Sequence, residues 1–256
     1  MTFQLAVSAE MAFTDLPIVE RVMRIHELGF AAEIWSWHDK DLAALAATGA
    51  TFTSMTGYLH GDLVDSDTCD EVIRTAELSI AAAETLGVSR LNLHPAELVD
   101  GRAARPRQRS TGQMWLTAAR TLAHLGDLGA SAGVTFCLEN LNTIVDHPGV
   151  PLARAKDTLA LVEGVGHPNV KMMLDLYHAQ IGEGNLIDLV RRCGDAIGEI
   201  QVADVPGRCE PGTGEVFYPA VAAALRDIGY RGTIGMEAWS RGDSTAALSA
   251  FRAAFT

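Results

Sequence analysis

Short apolar or β-branched runs alternate with longer stretches of helical periodicity along the chain. The runs at 4–8, 31–35, 51–56, 90–94, 135–139, 170–175, 197–202 and 233–237 read as strands. Helical patterns fill the gaps, over 17–28, 67–86, 111–132, 186–193 and 219–228. Gly29, Gly87, Gly133 and Gly229 each stand where a helix would end, and each is soon followed by a strand candidate. Strands that alternate with helices imply βαβ units and a parallel sheet. The 256 residues divided among eight strands give 32 per unit. That is the size of one βα repeat, and eight repeats close into a barrel. The competing open sheet of the dinucleotide-binding kind needs a glycine-rich turn after its first strand. The chain instead reads Ala9-Glu10-Met11-Ala12-Phe13 there. The expectation is an α/β fold, a (β/α)8 TIM barrel, with residues 1–256 forming a single domain.

In such a barrel the chemistry sits at the C-terminal ends of the strands. The last four strands finish at Glu139, Asp175, Gln201 and Glu237, spaced by 36, 26 and 36 residues, each close to one repeat. Turn chemistry would explain one such residue, because Asp and Asn favour turns. It does not explain four in register, two of them Glu. Converging carboxylates repel one another unless a cation sits among them. Three carboxylates and an amide oxygen are hard donors, which suit Mg²⁺ or Mn²⁺. Zinc would favour His or Cys, absent from these four positions.

Composition narrows the partners. The chain carries 20 basic and 32 acidic residues, net −12. Residues 1–100 hold 16 acids and 5 bases, while residues 101–256 hold 16 and 15. No basic stripe is present, which argues against a nucleic-acid partner. No apolar run is long enough for a membrane span, and no secretory signal is visible at the start. Cys69, Cys137, Cys193 and Cys209 are scattered and form no paired motif. They read as reduced thiols of a cytoplasmic protein. The sequence leaves homo-oligomerisation open. Among the three lysines, Lys171 opens a strand at the wrong end, and Lys40 and Lys156 fall in helical patterns. A Schiff-base route therefore lacks its amine.

Several segments of the second half carry a family likeness. They are Leu138-Glu139-Asn140-Leu141-Asn142, Met173-Leu174-Asp175-Leu176-Tyr177-His178-Ala179-Gln180, Gln201-Val202-Ala203-Asp204, Pro206-Gly207-Arg208-Cys209-Glu210-Pro211, Gly214-Glu215-Val216-Phe217-Tyr218-Pro219, and Gly229-Tyr230-Arg231-Gly232 with Ile234-Gly235-Met236-Glu237. Residues 135–242 closely resemble the hydroxypyruvate isomerase family of the xylose-isomerase-like barrels, and the remainder resembles it in layout. The resemblance implies a divalent metal held by Glu139, Asp175, Gln201 and Glu237, with no organic cofactor. It implies that the two glutamates move protons and that His178 and Arg208 hold substrate oxygens. Related ketose 3-epimerases usually carry His at the seventh strand, so Gln201 favours the isomerase side. The chain departs from the family after Glu237, where Ala238-Trp239-Ser240-Arg241 stand, and in the loops at 57–62 and 94–97.

The expected activity is isomerisation of a small α-hydroxycarbonyl compound, hydroxypyruvate to tartronate semialdehyde, through an enediolate stabilised by the metal as Lewis acid. Glu139 and Glu237 divide the base and acid roles. A ketose or polyol-ketone 3-epimerase with the same metal and glutamate pair is the alternative. Arg208 would bind a substrate oxyanion, Glu210 would hold Arg208, and His94 and His60 would line the pocket. Trp35, Trp37 and Trp239 would form walls or rim packing. Glu33, inside the second strand, could face either way. The arginines of 102–109 make either a solvated loop or a lid that attracts anions. Asp65, Asp67, Asp70 and Glu71 crowd a helix start, which suits the helix dipole.

Overall fold

A computed structural model describes residues 3–256. The chain runs β1 (Gln4–Ser8), α1 (Ile18–Glu27), β2 (Ala31–Glu33), α2 (Leu42–Ala47), β3 (Ser54–Thr56), α3 (Cys69–Leu86) and β4 (Arg90–Leu93). A small hairpin of β5 (Leu98–Val99) and β6 (Arg102–Ala103) follows, then α4 (Gly112–Ala132), β7 (Thr135–Glu139), α5 (Ala155–Val165) and β8 (Val170–Asp175). The remainder is α6 (Leu176–Gly182), α7 (Leu186–Cys193), β9 (Ile197–Val202), α8 (Tyr218–Asp227), β10 (Thr233–Met236) and α9 (Ser244–Phe255). Eight parallel strands pair in the order β2-β1-β10-β9-β8-β7-β4-β3. The two ends of this ladder meet at a bridge between Ala32 and Phe52, and farther along the Ile34 N–H donates to the Ser54 carbonyl at 3.2 Å and the Thr56 N–H to the Trp35 carbonyl at 3.1 Å. At the bridge the Ala32 N–H donates to the Thr51 carbonyl at 2.8 Å and the Thr53 N–H to the Ala32 carbonyl at 3.0 Å. The barrel is thus closed, with its seam between β2 and β3.

The eight expected strands are all present. Those at the seam are shorter than their apolar runs, because β2 stops at Glu33 and regular pairing in β3 starts only at Ser54. Gly29, Gly87, Gly133 and Gly229 each take a left-handed backbone that turns the chain from helix to strand. The irregular segment after β4 contains the β5–β6 hairpin, which periodicity does not reveal in strands of two residues.

The main core lies between sheet and helices. Val22, Ile25, Leu45, Val72, Leu122, Leu125, Val162, Val190, Leu225 and Leu248 turn one face of each helix onto the barrel. Each such burial contributes about 1.5–3 kcal/mol. Inside the barrel the usual filling is branched and apolar. Here Glu33, Thr53, Ser54, Glu199 and Gln201 are buried as well, so a polar column rises through the interior toward the mouth.

Candidate active site

Strand register brings the strand-end residues together. Asp175 of β8 stands directly beside Gln201 of β9, and Glu139 of β7 lies opposite Met173, two residues before Asp175. Glu237 follows β10, its N–H donating to the Val202 carbonyl at 3.1 Å. Glu139, Asp175 and His178, all buried, each bring one potential ligand atom to within 4.8 Å of the others. Glu139 and Asp175 can offer oxygens to a metal ion there; the His178 ring, held by Asn142, faces them as a donor. Asp175 combines two tasks: it caps α6 by accepting the His178 N–H at 2.7 Å, while its other oxygen faces the His178 ring at 3.8 Å. The turn role and the site role therefore coexist in one side chain.

The Gln201 amide is split between two surroundings. Its nitrogen donates to Glu33 at 3.0 Å, and its oxygen is buried without a hydrogen-bond partner among the described residues. A buried, unpartnered oxygen beside two buried carboxylates is a donor set that fits a hard cation. Burial, and next the charge of Glu139, push Asp175 well above the usual carboxylate range. A cation between them would relieve that repulsion.

The two glutamates are pushed in opposite directions. Burial works against ionisation of Glu139, but hydrogen bonds and charge from His94 and a hydrogen bond from Asn92 outweigh it and hold the carboxyl low. His94 Nε2 donates to Glu139 at 3.1 Å, and the Asn92 amide donates to the same oxygen. His94 is braced in turn by the Tyr58 hydroxyl, 3.1 Å from its Nδ1. Burial holds Glu237 above its ordinary value, against the pull of Arg208. Trp35 Nε1 donates to one Glu237 oxygen at 2.6 Å and Arg208 binds the other. Glu237 is thus committed to Trp35 and Arg208 and stands outside the close group of Glu139, Asp175 and His178.

Arg208 is a built feature. It adopts a left-handed backbone at φ 52°, an uncommon state for a side-chain-bearing residue that costs about 1–3 kcal/mol. The loop that imposes this is organised by buried Asp204, which accepts N–H bonds from Val205, Gly212 and Val216. Gly214 is required there, since a Cβ would lie 2.1 Å from the Val205 carbonyl oxygen. The guanidinium sits over the Tyr177 ring at 5.0 Å, and its Nε is buried without a partner among the described residues. Charges of Glu237, Asp175 and Asp146 hold it firmly protonated despite burial.

His178 is fixed as a donor. Asn142 Oδ1 accepts the Val145 and Asp146 N–H groups, so its nitrogen must face His178 Nδ1, to which it donates at 2.7 Å. A neutral imidazole that accepts at Nδ1 carries its hydrogen on Nε2. Burial, then Arg208, pushes the ring well below its ordinary pKa, so it stays neutral. Its Nε2 is buried without a hydrogen-bond partner among the described residues, 3.9 Å from Glu139 and 3.8 Å from Asp175. A polar hydrogen in that position suits a substrate oxygen. His147 packs edge-on against this ring at 4.9 Å.

Other expectations are corrected by position. Glu210 does not reach Arg208; it accepts the Arg241 N–H at 2.8 Å. His60 is largely exposed and pairs with Glu97 at 3.1 Å, outside the group. Lys40 is not in a helix; it lies before α2, at the mouth. Its ammonium is tied to Glu10 at 3.0 Å, which also accepts the Trp35 N–H. Lys40 therefore fastens the Trp35 loop and is no free nucleophile. Trp37 is packed against the core and donates to Ser79. The arginines of 102–109 form neither a free loop nor an anion lid throughout. Arg105 grips buried Asp62 and Glu97, and Arg107 grips Asp65. Asp70 and Glu71 do lie in the first turn of α3.

Asn92, Tyr58, Asn142 and His147 contribute to the site without any strand-end signal of their own. A family model described as xylose isomerase-like TIM barrel matches residues 19–254. The chain belongs to the xylose isomerase-like TIM barrel family. It is 32% identical over 177 residues to a putative hydroxypyruvate isomerase of Mus musculus, an alignment covering 69% of this chain and 63% of that relative. It is 33% identical over 214 residues to a 2-oxo-tetronate isomerase of Cupriavidus necator, covering 84% of this chain and 72% of the relative. Among solved structures, one titled AP endonuclease, family 2, from Brucella melitensis superposes with a TM-score of 0.85 at 28% identity, over 98% of each chain. An L-ribulose 3-epimerase superposes at 0.80 and 22% identity, over 98% of this chain and 93% of the other, which speaks for the fold alone. Among the described residues, no helix is long and apolar enough to cross a membrane.

Proposed function

We propose that this protein isomerises a small α-hydroxycarbonyl acid, hydroxypyruvate or a 2-oxo-tetronate, by moving protons between neighbouring carbons through an enediolate. The observation that carries this reading is a pair of strand-end glutamates with different partners, Glu139 on His94 and Asn92 and Glu237 on Trp35 and Arg208, beside an unpartnered Gln201 oxygen. Glu139, which the His94 and Asn92 donors hold low, is the base that takes a proton from carbon, and Glu237 is the partner that carries a proton to the neighbouring carbon. Glu139, Asp175, Gln201 and Glu237 would hold Mg²⁺ or Mn²⁺, with Glu237 exchanging its Arg208 contact for the ion. The bound ion would supply the positive charge that stabilises a developing oxyanion. His178 donates from Nε2 to a substrate oxygen, and Arg208 orients a substrate oxygen or carboxylate. His94 acts through Glu139, and Glu210 only steadies the loop behind Arg208. No organic cofactor is needed for such a proton transfer. Relatives named for hydroxypyruvate and for 2-oxo-tetronate support an acid substrate. Four cysteines, all free, fit the reducing cytoplasm, and the acidic chain fits a small-molecule partner and no nucleic acid.

The test is to incubate the pure protein with Mn²⁺ and hydroxypyruvate and follow tartronate semialdehyde. The expected result is aldehyde formation that a chelator abolishes. An epimerised ketose without aldehyde would favour the epimerase reading. No turnover of hydroxypyruvate, 2-oxo-tetronates or a ketose panel would overturn both.

A further inference from the structure

The barrel interior holds two carboxyls that take no part in the proposed proton transfer. Glu33 of β2 is 4% exposed and Glu199 of β9 is 0% exposed. Barrel interiors are normally packed with branched apolar side chains, and burying a carboxyl is costly unless something is gained. Glu199 has Ser54 at 3.1 Å and Arg90 at 3.8 Å as partners, and it and Glu33 are also within hydrogen-bonding reach of each other. Glu33 has a different kind of neighbour, since one of its oxygens accepts the Gln201 amide N–H at 3.0 Å. The other oxygen is 3.4 Å from the Thr53 hydroxyl. Space for this carboxyl is made by Gly235, where a Cβ would fall 2.1 Å from the Glu33 oxygen. A strand-interior glycine that buries no side chain of its own marks such a close approach.

The two ends of a glutamine amide are nearly the same size. Packing cannot decide which end faces the mouth; only hydrogen-bond partners can. Glu33 offers an acceptor on the inner side, which engages nitrogen and leaves the oxygen pointing outward, buried and unpartnered. We propose that Glu33 is a positioning residue that turns the Gln201 oxygen toward the cation site and so makes the β9 donor a hard one. This inference rests on the cation reading of the site given above. Groups behind a ligand that fix its orientation commonly change metal affinity 10–100-fold when removed.

The experiment is a Mn²⁺ titration followed by loss of the free-ion electron paramagnetic resonance signal, on unmodified protein, Glu33→Leu and Glu33→Gln. Glu33→Leu should bind Mn²⁺ at least about tenfold more weakly. The metal-free melting temperature of that variant should fall modestly, since the buried Gln201 amide N–H loses its acceptor, and Glu33→Gln should restore it. Glu33→Gln keeps an acceptor oxygen at the same place and should stay within about threefold of the unmodified protein. Binding by Glu33→Leu within about twofold of the unmodified protein would overturn the inference while leaving the cation site intact. So would an equal loss in Glu33→Gln and Glu33→Leu. If the unmodified protein binds no Mn²⁺, the cation reading itself falls and the inference with it. Should Glu33→Leu not fold, a crystal structure of the unmodified protein with Mn²⁺ decides. Gln201 nitrogen on Glu33 and oxygen on the ion supports the inference, and an amide turned away from Glu33 overturns it.

Discussion

The two halves of the barrel do different work. From β7 to β10 come the groups proposed to meet ion and substrate: Glu139, Asp175, His178, Gln201, Arg208 and Glu237. From β1 to β4 come the groups that hold them. Trp35 donates to Glu237, Asn92 and His94 to Glu139, and Glu33 accepts from Gln201. Charge is divided along the chain in the same way but is rejoined in space. Part of the acidic excess of the first hundred residues, at Asp62, Asp65 and Glu97, is answered by Arg105 and Arg107 from beyond it. One half supplies the reactive atoms, and the other supplies much of the orientation of Glu139, Gln201 and Glu237, so the effects of mutation should differ in kind.

The largest effect should come from the reactive half. Glu139→Gln is expected to lower kcat about 10³-fold while leaving the fold intact, measured by aldehyde formation and circular dichroism. A comparable loss of kcat on removing only its Asn92 contact would erase the distinction between the halves. Next, Arg105→Met should strand buried Asp62 and lower stability by about 3 kcal/mol, read from urea unfolding. Little change there would mean that the rejoined charges contribute nothing to folding.

A smaller effect concerns pH. Burial holds Asp175 and Glu237 high in the metal-free protein, and Glu33 and Glu199 shift in the same direction. A raised native pKa stabilises the fold below the unfolded value, about 4, and that stabilisation is lost as pH rises through the native value. An ion displaces the protons of its ligands Asp175 and Glu237, so its affinity should rise over the same interval, by up to about tenfold per pH unit for each proton released. The increase in melting temperature caused by Mn²⁺ should therefore be larger at pH 8 than at pH 5; an increment that shrinks with pH would contradict the assignment. The smallest effect should come from the supporting half. Trp35→Phe removes one hydrogen bond to Glu237 and should cost kcat about threefold to tenfold.

What could be read from the chain follows the same division. Glu139, Asp175, Gln201 and Glu237 were legible because a strand end fixes a residue at the mouth whatever lies opposite. Their partners were not, because those contacts join residues 47, 168 and 202 apart in the chain. Finding them requires the rotation of each strand around the barrel, which periodicity does not carry. Lys40 was misplaced for a related reason: an apolar helix begins just after it, and only the fold shows that Glu10 holds it at the mouth. Gly235 was a usable signal, since a glycine inside a buried strand implies that something presses against it. The tautomer of His178 depended on the loop that pins Asn142, beyond the reach of any local pattern.

The seam has a consequence for what happens if the barrel opens. The strands on either side, β2 and β3, are three residues long each. Should the Ala32–Phe52 join part, the edges laid bare would offer few free amides for another chain to pair with. A barrel that breaks at its shortest strands presents a poor template for intermolecular sheet growth, so transient opening at this join should be less prone to seed aggregation than opening between the longer strands β8 and β9.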